Sequence, residues 1–305
     1  METTSQQPDT VLSGGMLVVV GAIGFSAKPV LIKLAYANGA SIDAITLMTL
    51  RTLLALPIFL AVAFWDRDTS RCRHSATDWA TLSVLGVTGY YLASLLDFTG
   101  LEYISAGLER LILFLYPTFV VLLSALLYRR RIKRVQGVAL LLSYAGILLV
   151  YGSDPLADSP DIALGALLVL ASGIVFALYL TGSGHVIPRF GSRRFTAYSM
   201  SIASVATLAH FLAFHPVAQL SVSVDILGLA LALAVFSTVL PAFLINAGIR
   251  RIGADHASII TSIGPVVTLA LAYVVLDESL RLTQVAGATL VLLGVLLVGL
   301  AKRGT

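Results

Sequence analysis

The chain has 305 residues, of which 58% are hydrophobic and only 12% charged, with a mean hydropathy of +0.93. A water-soluble domain carries about a quarter charged residues, so this chain lacks the charge to cover a soluble surface. Long unbroken apolar runs exclude a β-barrel, whose strands alternate, and point to a helical protein with lipid as its solvent. The net charge of +4 and pI near 9.3 do not imply nucleic acid, because most of the basic residues flank apolar runs. The single cysteine, Cys72, lies in a basic loop and leaves no internal disulfide to form.

In chain order, Met1–Thr10 is polar and lacks the basic start of a signal peptide. Ten apolar segments follow: Gly14–Tyr36, Asp43–Phe64, Trp79–Gly100, Ser105–Leu127, Val135–Tyr151, Ile162–Val186, Phe195–Phe214, Ile226–Gly248, Ala254–Leu276 and Thr283–Ala301. Each is close to the ~20 residues that cross ~30 Å of hydrocarbon. If they alternate in direction, fifteen of the twenty Lys and Arg residues fall on one side and Arg281 alone on the other; Lys28, Lys33, Arg51 and Arg110 lie within segments. The positive-inside rule places the basic side, with both termini, in the cytoplasm.

The chain also repeats itself. Gly100–Val150 returns at a constant shift of 148 residues as Gly248–Val298. The shift aligns Gly100 with Gly248, Ile104 with Ile252, Ala106 with Ala254, Pro117 with Pro265, Gln136 with Gln284 and Gly146 with Gly294. Five segments per copy is an odd number, so the second copy enters the membrane from the opposite face. Such inverted repeats serve alternating access around a site near the midplane. The expected organisation is a tail (1–12), a first five-helix repeat (13–152), a linker (153–161), a second repeat (162–301) and a short tail (302–305).

Ionisable groups inside a bilayer cost ~2.5–3.5 kcal/mol each by insertion scales, which singles out a few residues. Lys28 precedes Pro29 in the first segment and suits an anion anchor or an ion pair. Lys33, nearer the segment end, can snorkel. Arg51, Asp97, Glu109 and Arg110 lie at comparable depth, forming either a helix-locking charge network or a gate and substrate site. Ser83, Tyr90, Ser94 and Asp97 share a helical spacing, and Tyr116 precedes the kink expected at Pro117. Tyr179 and Asn246 are the polar candidates of the second repeat, with His185, His210, Asp255 and His256 as structural histidines or termini. No HExxH, GxSxG or GxxxxGK[ST] signature is present, so neither an enzyme activity nor a metal or cofactor is expected.

Taken together, GAIGFSAKPVLIKLAY, DAITLMTLRTLLALPIF, the proline-bearing fourth and ninth segments and the Gln and Gly that follow them resemble the EamA branch of the drug/metabolite transporter superfamily. That resemblance implies a ten-helix inner-membrane permease that exports small metabolites such as amino acids. A multidrug or cationic-compound exporter is the alternative, and a membrane enzyme or sensor the competing class. A proton or counter-substrate as coupling partner, and the oligomeric state, stay open. The family's acidic residue after each proline-bearing segment is present as Asp277-Glu278, but Arg129-Arg130-Arg131 stands in the first copy; the motif reads as structural.

Overall fold

A computed structural model describes residues 8–38, 42–65, 74–127, 134–154, 156–279 and 281–303. All secondary structure among them is helical. Eight helices are long and apolar enough to cross a membrane, and two shorter apolar ones, Gly264–Leu276 and Leu282–Leu297, occupy the ninth and tenth places. We number them α1 (Pro8–Asn38), α2 (Ala44–Trp65), α3 (Ala76–Gly100), α4 (Ala106–Leu113 with Tyr116–Leu127), α5 (Arg134–Tyr151), α6 (Ile162–Phe190), α7 (Ser192–Phe214), α8 (Val224–Ala234, a π turn Val235–Val239, then Leu240–Thr261), α9 (Gly264–Leu276) and α10 (Leu282–Arg303). Phe64, Leu126, Leu141 and Leu148 are each more than two-thirds exposed, as side chains facing lipid should be.

Sequence chemistry sets several of the helix ends. Ser75 and Asp78 form a capping box at the start of α3, and Ser105 caps α4 by accepting the Leu108 N–H at 3.1 Å. Pro8, with no N–H to satisfy, opens α1, so the helix starts inside the stretch expected to be a tail. α6 and α7 meet at Gly191 with φ 77°, a left-handed conformation that glycine adopts without penalty.

Close approaches at glycine show how the repeats are related. A Cβ on Gly248 would stand 2.9 Å from the Gly14 carbonyl oxygen, and one on Gly100 would stand 3.0 Å from that of Gly165. α8 thus packs on α1 as α3 packs on α6, each helix of one repeat against the first helix of the other. In the second seam Gly146 meets Gly287 and Val291, while Gly294 meets Ala139 and Ser143. Going up α5 means going down α10, so the two are antiparallel. Because Gly146 and Gly294 are equivalent positions, the seam is self-complementary, as a two-fold axis between the repeats requires. The halves are inverted copies.

The symmetry extends to irregularities that the sequence did not reveal. π turns begin at the equivalent residues Val87 and Val235, each placing one extra residue in a helical turn. For α3 this breaks the single stripe expected to join Ser83, Tyr90, Ser94 and Asp97. The proline kinks are present: α4 lapses at Phe114–Leu115, just before Tyr116-Pro117, and the second copy lapses at the equivalent Ser262–Ile263, before Gly264-Pro265.

One boundary differs from expectation. The eighth and ninth segments were to be separated by a loop at 249–253, but Leu240–Thr261 is helical throughout. In the first copy the equivalent residues form a turn that ends at the Ser105 cap. Gly253 stands in the place of Ser105 and has no side chain to start a new helix. Chain direction still reverses before α9, which runs parallel to α1: Thr268 Oγ1 donates to the Ser26 carbonyl at 2.8 Å, and Ala272 packs with Val30.

Candidate functional site

The site lies where α1, α3, α4 and α9 converge. Lys28 projects from α1 and its Nζ donates to Asp97 Oδ2 at 2.5 Å. Asp97 is 1% exposed. On α4, Glu109 is 0% exposed and its carboxyl lies against that of Asp97, with no N–H donor to either oxygen among the described residues. Its neighbour Arg110 points elsewhere and crosses to the second repeat. There Nη2 stands 2.9 Å from the place a Cβ on Gly264 would occupy, with Ser26 Oγ beside the same place. The Nε of Arg110 has no acceptor. Arg51, from α2, is 6% exposed and lies over the Phe98 ring at 4.7 Å, a cation–π contact, and its charge also interacts with that of Asp97.

Two carboxylates and three cations therefore sit within a single buried region, and among the described residues only Lys28–Asp97 closes as an ion pair there. Separating one partner from such a pair costs ~3–5 kcal/mol because a buried charge is left behind. A ligand that supplied its own charges could open the pair at lower cost. Glu109 and Asp97 would receive an ammonium; Lys28 and Arg110 would receive a carboxylate or other anion. The break in α4 and the one just before α9 flank the group, and Gly264 leaves room for the Arg110 guanidinium where a side chain would collide.

An aromatic row extends from this region. Tyr116 meets Phe176 edge-to-face at 5.5 Å, Phe176 stacks on Tyr179 at 5.7 Å, and Tyr179 donates its hydroxyl hydrogen to the Tyr90 oxygen at 2.9 Å. Tyr179 also fills the space opposite Gly89, whose missing side chain is what admits the ring. Tyr90, Tyr116 and Tyr179 are thus brought together across the two repeats. Ser94 is half-buried on α3, and among the described residues no hydrogen bond or ion pair joins it to the charged group. The side chains of Asn246, His185, Asp255 and His256 lie outside the described residues, as do Cys72, Arg67, Arg71, Arg73, Arg129, Arg130, Arg131 and Lys133. His210 bonds Tyr91 at 2.8 Å near the end of α7, a structural contact.

A model of the EamA-like transporter family matches residues 12–152 and 163–300, one match per repeat. The chain belongs to the EamA-like transporter family. An uncharacterized transporter of Bacillus subtilis (strain 168), YcbK, is 33% identical to this EamA-like chain over 279 residues, covering 90% of it and 89% of the relative. An uncharacterized transporter of Archaeoglobus fulgidus is 30% identical over 217 residues, covering 71% and 75%. A solved crystal structure at 17% identity superposes with a TM-score of 0.66 over 96% of this EamA-like chain and 98% of its own, a likeness of fold alone.

Three residues of interest were not among the sequence candidates for the site: Glu278, Asp154 and Ser105. Lys33, expected to reach for the surface, instead bonds the Leu101 carbonyl at 3.2 Å and faces Glu278 and Asp154. The Asp277-Glu278 pair was visible in the sequence, but a reach of 172 residues to α4 leaves no local signature.

Proposed function

We propose that this protein is a secondary active transporter that moves small polar or amphipathic metabolites, amino acids among them, across the inner membrane by alternating access, with export as its direction. The observation that carries this reading is the buried Lys28–Asp97 pair with the buried Glu109 carboxyl against Asp97, set between inverted repeats. Paired opposite charges complement a zwitterion, and the aromatic row offers apolar faces with hydroxyl tips. The arginine-rich face, with both termini, is the cytoplasmic one in this reading.

A second reading, export of organic cations, is favoured by Glu109, whose carboxylate has no N–H donor among the described residues. Both are tested by counterflow into liposomes holding the purified protein, with amino acids, nucleosides and quaternary ammonium compounds as the panel. Saturable exchange of zwitterions, lost in Lys28→Met, supports the first. Exchange of cations alone, retained in Lys28→Met and lost in Glu109→Gln, selects the second. No exchange across the panel would count against both.

A further inference from the structure

At the acidic face, opposite the arginine-rich loops, four elements from both repeats are tied by buried polar contacts. α9 ends at Asp277, whose backbone is left-handed (φ 53°). The Glu278 N–H returns to the Ala272 carbonyl at 3.2 Å, the same carbonyl that the Asp277 N–H meets, so two N–H groups past the helix end close on one of its last free carbonyls. That ending turns Glu278 away from its own helix and over the start of α4. Its Oε1 accepts the Ala106 N–H at 3.1 Å, and the carboxylate also accepts from Gly107. These are free N–H groups at a helix N-terminus, where negative charge is favoured.

Around that contact, Ser105 donates to Asp154 in the turn after α5, and Lys33 of α1 faces both carboxylates. Beneath it, Val30, Ala106 and Ala272 form a buried apolar cluster shared by α1, α4 and α9. The charged site therefore has a packed layer between it and the acidic face. Polar ties also join the repeats at the basic face, Arg189 to Asp78 and Arg251 to Ser13, but both are solvent-exposed, and exposed ion pairs hold little.

The repeat makes the arrangement one-sided. At the shift of 148 residues, Glu278 corresponds to Arg130, Asp154 to Lys302, Ser105 to Gly253 and Ala106 to Ala254. No acidic acceptor stands at the basic-face equivalents, and the helix N-terminus that Glu278 covers has no counterpart, because 249–253 is helical.

We propose that Glu278, seated on the N-terminus of α4, is the latch of a gate that closes the central site from the acidic face. The protein consequently rests shut on that side, and opening there requires the Glu278–α4 contact to part. This assignment rests on the transporter reading above, but its test reads gate geometry and needs no substrate.

In a Cys72→Ser background, Ala272→Cys reports on the cluster under the latch, and Ala230→Cys, equally buried but in the α2–α3–α8 core, reports on general loosening. Both are labelled in intact cells and in liposomes with a membrane-impermeant methanethiosulfonate applied to the acidic face. Glu278→Ala should raise the labelling rate at Ala272→Cys at least tenfold while Ala230→Cys stays protected. Glu278→Gln, which keeps an acceptor oxygen for the Ala106 N–H without the buried charge, should label no faster than the parent. An unchanged rate at Ala272→Cys would overturn the latch. So would a parallel rise at both positions, which would make Glu278 a residue that holds the fold.

Discussion

Lys28 and Asp97 show what a residue-level charge does here. Sequence alone allowed Lys28 to be a free anchor or half of an ion pair, and the structure pairs it with a carboxylate 1% exposed. Replacing Lys28 with Ala would leave Asp97 beside Glu109 with no cation at bonding distance. We expect that variant to lose ~3–5 kcal/mol of stability as well as flux. The double variant Lys28→Met/Asp97→Leu should regain most of the thermal stability and none of the flux. Unfolding of the detergent-solubilised proteins, read beside counterflow, separates the two effects. Tyr179→Phe is milder: loss of its bond to Tyr90 should cost ~0.5–1.5 kcal/mol. The candidate residues were legible because charge in an apolar segment is conspicuous. Which of them touch was not, since spacing along a helix says nothing about the helix opposite.

At the scale of elements, the prolines and glycines carry the design. Pro117 and Pro265 each withdraw a backbone donor, and the helices lapse just before them. Pro117→Ala should let α4 run through. The expected result is slower exchange with unchanged or higher thermal stability, measured on the same liposomes. The glycine seams work by contact. A Cβ on Gly146 would stand 2.5 Å from the Gly287 carbonyl oxygen and 2.9 Å from Val291, so Gly146→Leu should force α5 and α10 apart at a cost of ~1–3 kcal/mol or more. These helices were legible from hydropathy, and the kinks from proline. The π turns were not: Val87–Leu92 and Val235–Val239 consist almost wholly of weak helix formers, but that composition does not tell an extra residue in a turn from an ordinary apolar helix. The missing break at 249–253 was misread for a related reason. Two arginines looked like a loop, whereas the absence of a capping side chain at Gly253 decided the matter.

For the whole molecule, the sequence repeat was enough to expect inverted halves, because it aligned glycines that turn out to lie in equivalent contacts. What it could not show is where the halves differ. Burial holds the carboxyls of Glu278 and Asp154 above the usual carboxylate range. Facing them are Lys33 from α1, the Ala106 and Gly107 amides and Ser105 from α4, and the Leu156 amide; each carboxylate also faces the other. An opened gate would return both carboxyls toward ordinary values. The closed gate therefore binds protons more tightly, and this contribution to closure is full below the ordinary carboxylate range and lost as pH rises through the raised values. Labelling of Ala272→Cys from the acidic face, normalised to an exposed cysteine, should slow as external pH falls from 7 toward about 4.5. The account as a whole requires a midplane position to be reached from either face in turn. Ser26, 0% exposed and next to Arg110 and Thr268, is that position. Ser26→Cys in the Cys72→Ser background should react with impermeant thiol reagents applied to either face, slowly from the acidic one and faster there once Glu278 is replaced by Ala. Reaction from one face only, under every condition, would contradict it.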